Sequence, residues 1–160
     1  MGISSTTFRA KSWPAFMQIN GEWLICDDGI VRPVVRGEIL AANGSWVPVP
    51  FLLDTGADRT VFSAAILAAL HLHSPTAPER LSGLGGTVRT VSIETRVRFS
   101  HEEDRKVVFR GAYAAITDLE ALDMSVLGRD ITNMFAVVVD RLGNVVCLLG
   151  QRHQYMIVQR

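Results

Sequence analysis

The chain has 160 residues, 48% of them apolar and 20% charged, which is one domain's length with enough apolar content to exclude a disordered chain. Sixteen Lys and Arg balance 16 Asp and Glu, so the bulk positive charge of a nucleic-acid or anionic-membrane binder is absent, and a charged fraction below the usual quarter fits a surface partly covered by a partner. Two cysteines, Cys26 and Cys147, exclude a disulfide scaffold, and no Cys/His cluster has zinc spacing; the expectation is a reducing, cytoplasmic setting with no metal and no cofactor.

Residues 1–30 show no sustained period. Trp13, Phe16, Trp23 and Leu24 are scattered among Ser, Thr, Gly and Asp, and the stretch reads as an N-terminal arm preceding a domain over 31–160. It lacks the basic segment and apolar core of a signal peptide. Met1-Gly2-Ile3-Ser4-Ser5-Thr6 fits the loose myristoylation pattern, which is short and common. Val31–Ala41 and Trp46–Leu53 are β-rich runs joined by Ala42-Asn43-Gly44-Ser45, and Asn-Gly is a strong hairpin signal. Ser63–Leu70 predicts a helix capped by Ser63. Ser74–Glu79 holds two prolines and reads as a loop. Over Thr87–Phe99, Val91, Ile93, Thr95, Val97 and Phe99 alternate with Ser92, Glu94, Arg96 and Arg98, which predicts a long half-buried strand. A polar turn over Ser100–Arg105 leads to a strand over Lys106–Ile116. Asp130–Met134 predicts a short helix. Phe135–Arg141 and Asn144–Leu149 form a hairpin through Leu142-Gly143-Asn144, and Tyr155–Val158 reads as a last strand. The longest apolar stretches, 64–70 and 135–139, are too short to span a bilayer. The class is mainly β, a barrel or sandwich with one or two short helices.

The chemistry concentrates in Pro50-Phe51-Leu52-Leu53-Asp54-Thr55-Gly56-Ala57-Asp58-Arg59-Thr60. An apolar strand runs straight into a carboxylate. A carboxylate there is half buried and needs hydrogen bonds to remain charged. Gly56 permits a tight turn that aims backbone N–H groups back at Asp54, and Thr55 offers a hydroxyl to lock the loop. Taken by itself, Asp-Thr-Gly reads as a plain strand-to-loop turn with a capping Asp; its surroundings change that. The histidines add little: His71 and His73 follow a helix end, and no Ser or Cys sits in a nucleophile motif with any of the four.

Leu52-Leu53-Asp54-Thr55-Gly56-Ala57-Asp58 closely resembles the active-site loop of the retropepsins, the retroviral-type aspartic proteases. Two further segments match in the same order. Leu81-Ser82-Gly83-Leu84-Gly85-Gly86 resembles the glycine-rich tip of the flap, and Val126-Leu127-Gly128-Arg129-Asp130 resembles the segment that opens the C-terminal helix. The glycine-rich segment lacks the Gly-Lys-Ser/Thr of a phosphate loop. The resemblance covers roughly Val31 to Leu149. It implies a small closed β-barrel of the acid-protease type with a flap hairpin, and an aspartic endopeptidase activity.

What the resemblance implies for single residues is specific. Asp54, Thr55 and Gly56 form the catalytic loop. Gly56, Ala57 and Asp58 meet substrate backbone; Gly83, Leu84, Gly85 and Gly86 close over it; Met124 and Val126 line side-chain pockets. Arg129 and Asp58 form a salt bridge under the loop. An aspartic protease needs two carboxylates sharing a proton, and this chain has one Asp-Thr-Gly, so a homodimer acting on extended or unfolded peptide is expected. Arg59 and the residues beyond the helix depart from the family pattern. The competing reading is a catalytically inactive dimeric module of the same fold that binds extended peptides or oligomerises. It predicts a damaged Asp-Thr-Gly or a flap without glycines, and the sequence has neither.

Overall fold

The structure is a computed structural model and describes residues 17–74, 77–83, 85–101 and 105–150. In chain order the elements are β1 (Gln18–Asn20), β2 (Glu22–Ile25), β3 (Val31–Leu40), β4 (Trp46–Leu53), β5 (Val61–Phe62), α1 (Ala64–Leu70), β6 (Glu79–Gly83), β7 (Gly86–His101), β8 (Arg105–Ile116), β9 (Ser125–Leu127), α2 (Arg129–Thr132), β10 (Ala136–Asp140) and β11 (Val145–Leu149). The larger sheet runs β2-β3-β4-β9-β5-β8-β7-β6, and β3 also pairs with β7 through Gly37↔Phe99, Glu38↔Arg98 and Ile39↔Val97. That pairing joins β3, β4, β9, β5, β8 and β7 into a closed ring, the expected barrel, with no free edge inside it.

The alternation in β7 does what its period dictates. Ile93, Thr95, Val97 and Phe99 are buried while Glu94 and Arg96 face out. The one polar member of the inner row, Thr95, donates its hydroxyl to the Leu40 carbonyl at 2.8 Å, so its burial leaves no orphan group. Phe51, Phe62, Phe99 and Phe109 are the largest side chains wholly removed from water. Their rings meet tilted or edge-on, with centroids 5.8 Å apart for Phe51 and Phe99 and 6.1 Å for Phe99 and Phe109, the arrangement that ring quadrupoles favour. The Asn43-Gly44 turn joins β3 to β4, with Leu40 opposite Trp46. Ser63 caps α1 by accepting from the Ile66 N–H. No helix of the described residues is long and apolar enough to cross a membrane.

A second sheet, β1-β11-β10, is antiparallel throughout. It takes in part of the expected N-terminal arm, whose residues 18–20 form β1. Met17 and Ile19 are buried at 1% exposure in the common core. Gly21 donates its N–H to Val146 as the chain crosses from β1 to β2, and β2 pairs with β3. The Trp23 indole N–H donates to the Asp140 carbonyl, tying β2 to the end of β10. Strands of three and four residues are too short to show a period. The expected strand over Tyr155–Val158 lies outside the described residues.

Candidate active site

Asp54 is placed by three segments that are remote in sequence. β4 delivers it: Leu53 pairs in parallel with Leu127 of β9, and the Asp54 N–H donates to the Leu127 carbonyl at 3.3 Å. The turn then folds back on the carboxylate. Gly56 donates its N–H to Asp54 Oδ1 at 2.8 Å, and Ala57 donates to the Asp54 carbonyl at 3.3 Å. An N–H aimed at a carboxylate oxygen fixes its rotamer. Asp54 is half buried, whereas Thr55 and Gly56 are exposed on the surface of the protomer.

The loop is fastened from below by the start of α2. Arg129 and Asp130 donate their backbone N–H groups to the carbonyls of Ala57 (2.8 Å) and Asp58 (3.2 Å). The Arg129 guanidinium bonds the Asp58 carboxylate, so the expected pair is present. It is solvated: the Asp58 side chain is 77% exposed and that of Arg129 47%. A pair this wet contributes about 0–1 kcal/mol to the stability of the protomer.

A drier link sits beside it, and sequence reasoning missed it. Asp130 Oδ1 accepts from the Thr60 N–H at 2.9 Å, from the Thr60 hydroxyl at 2.7 Å and from the Ile131 N–H at 3.0 Å. The same hydroxyl, on a residue with no exposed surface, accepts from the Gly128 N–H at 3.1 Å. One threonine thus joins the loop after Asp54 to the turn that opens α2. Gly128 is required there, because a Cβ on it would come within 2.8 Å of the Thr60 backbone nitrogen. The available signal was an Asp in the first turn of a predicted helix, a favoured capping residue; its partner 70 residues away was not readable. Tyr113 is close enough to feel Asp130: burial first, and then that negative charge, push its phenol above the ordinary range. Ser125 plays a similar part on the other side of the loop, its hydroxyl accepting from the Ser63 N–H at 2.9 Å.

The remaining expected site residues divide by place. Gly83 and Gly86 face each other at the end of the β6–β7 hairpin, and Gly86 has φ +110°, which only glycine adopts without strain. Gly83, Gly85 and Gly86 are exposed; Leu84 lies outside the described residues. Val126 is 8% exposed, paired with Leu52 on one side and Val61 on the other. Met124, half buried, precedes β9 and lines a groove together with Leu52.

Among solved structures, the retropepsin-like aspartic protease from Rickettsia conorii is 16% identical and covers 86% of this chain and 94% of its own, with a TM-score of 0.51; that likeness is one of fold. The EIAV protease complexed with the inhibitor HBY-793 is 28% identical over 64% of this chain and 86% of its own, with a TM-score of 0.45. No curated protein matches. The family model described as aspartyl protease matches residues 35–152, which include the Asp54 loop, the β6–β7 hairpin and the Gly128–Asp130 turn. On that match, the chain belongs to the aspartyl protease family, and its fold is retropepsin-like.

Proposed function

We propose that the chain is an aspartic endopeptidase that works as a homodimer, with Asp54 of two copies sharing one active site. The observation that carries this reading is the Asp54 carboxylate itself. It stands at a strand end, oriented by the Gly56 N–H, in a member of an aspartyl protease family that has a single Asp-Thr-Gly. The exposure of Thr55 and Gly56 in the protomer supports it, since a two-fold partner would cover them.

In the proposed mechanism two carboxylates approach to about 3 Å and share one proton, because two acids that close do not both ionise easily. One takes a proton from a water held between them as the water attacks the scissile carbonyl. The other donates a proton to the carbonyl oxygen. Collapse of the tetrahedral intermediate, with proton transfer to the amine, releases the two products with no covalent enzyme adduct. The substrate lies extended, its backbone meeting Gly56, Ala57 and Asp58 on the floor and Gly83 to Gly86 of the β6–β7 hairpin, acting as a flap, on the roof. Met124 and Val126 are assigned to the pockets beside the cleaved bond. Both cysteines are free, which fits work in a reducing compartment.

Replacing Asp54 tests the assignment. Asp54→Asn keeps the shape and removes the base, so cleavage of casein or of the chain itself is lost while the fold and a dimer in sedimentation survive. A strict monomer that still cleaves, or an Asp54→Asn protein with unchanged cleavage, contradicts the proposal.

A further inference from the structure

The groove that holds Leu52 and Met124 is also lined by parts of the chain that the mechanism above leaves unused. β2 and the turn after it supply Leu24, Ile25 and Asp27; the segment before β9 supplies Leu119, Leu122 and Asp123. The walls are apolar and half buried at Leu24, Leu52, Leu122 and Met124. Ile25 and Leu119 are left 72% and 73% exposed. Large aliphatic side chains left this open beside a groove mark a surface made to be covered.

The charges in the groove are not balanced. Asp28 is satisfied on its own chain: the Arg32 guanidinium bonds both of its oxygens, at 2.9 and 2.5 Å, and holds its carboxyl down at about 2. Asp28 and Arg32 therefore cancel. Asp27 and Asp123 are exposed, come from two lining segments remote in sequence, and neither makes an ion pair or side-chain hydrogen bond among the described residues. The groove thus combines an apolar lining with two uncompensated carboxylates.

We propose that this groove is a specificity pocket for a lysine or arginine side chain of the substrate peptide. Such a side chain has an aliphatic stem to lie along Leu24, Leu122 and Met124 and a cationic end to meet Asp27 and Asp123. A purely aliphatic residue fills the lining and leaves the carboxylates unpaired; a Glu meets them with like charge. The inference rests on the protease reading for its placement of substrate, and it names the class of peptide that the protease selects.

The test uses matched peptides that carry lysine, norleucine or glutamate at one position, scanned across the cleavage site. The wild-type dimer is expected to prefer lysine over norleucine at one position. In the double variant Asp27→Asn with Asp123→Asn the ratio of kcat/KM for the lysine to the norleucine peptide falls by about tenfold, the scale of one lost charge-assisted contact. The double variant Asp27→Lys with Asp123→Lys shifts preference toward glutamate. Binding of the same peptides to the Asp54→Asn protein, followed by fluorescence anisotropy, separates this inference from the mechanism. If no peptide is cleaved but the lysine peptide still binds more tightly, and loses that advantage with the carboxylates, the protease reading fails and the pocket stands. If peptides are cleaved with no basic preference at any position, or if the preference survives in the double variants, the pocket is refuted and the protease stands.

Discussion

Thr60 and Asp130 hold the position of Asp54 more firmly than the charge pair that the sequence draws attention to. Asp130→Ala removes the acceptor of two backbone N–H groups and of a buried hydroxyl, and leaving such donors unpaired costs about 2–3 kcal/mol. Arg129→Ala breaks a pair whose partners are both well solvated and costs at most about 1 kcal/mol in the protomer. Urea unfolding of the two variants side by side checks the order; equal losses would show that the solvated pair carries as much as the partly buried network. Asp54, Thr55 and Gly56 were legible because one contiguous segment carries the Asp-Thr-Gly motif. Thr60 was not, because its role arises only when the chain returns some seventy residues later and places Gly128 and Asp130 against it.

At the scale of elements, β3, β4, β7 and β8 could be read from period and turn chemistry because each is long enough for alternation to show. β5 and β9, two and three residues long, were invisible for the opposite reason, yet they close the ring and set the floor under Asp54. The seam between β3 and β7 gives a pH prediction. Arg98 holds the Glu38 carboxyl below its ordinary 4.5, with Lys106 adding to it and partial burial opposing. Glu38 thus has a lower value folded than unfolded, so its contribution is complete above about pH 5 and is lost as the pH falls through the lowered folded value. Glu38→Gln is expected to lower the melting temperature near neutral pH, with the gap to wild type narrowing below pH 4.5; a gap independent of pH would show that the pair does not stabilise the seam. In the β6–β7 hairpin, β6 is exposed apart from the half-buried Leu81. Little apolar burial holds it down, so its amides should exchange rapidly and slow when a peptide binds. Strong protection in the free protein would make the hairpin a fixed part of the barrel rather than a flap.

For the whole molecule the central claim is that one chain holds half of an active site. The barrel, the oriented Asp54 and the family all belong to the single chain; catalysis as proposed does not. The resemblance of three ordered motifs made the fold and the loop readable in advance. The place of residues 17–25 in the two sheets, with Met17 and Ile19 in the core, was not readable, because contacts to β3, β10 and β11 define it rather than any pattern of its own. Mixing wild type with the Asp54→Asn protein under exchanging conditions, at constant total concentration, measures the claim most directly. If each site needs Asp54 from both copies, mixed dimers are dead and activity follows the square of the wild-type fraction, about one quarter at an equal mixture. A linear fall, to about one half at an equal mixture, would mean that each chain carries its own complete site and would contradict the account.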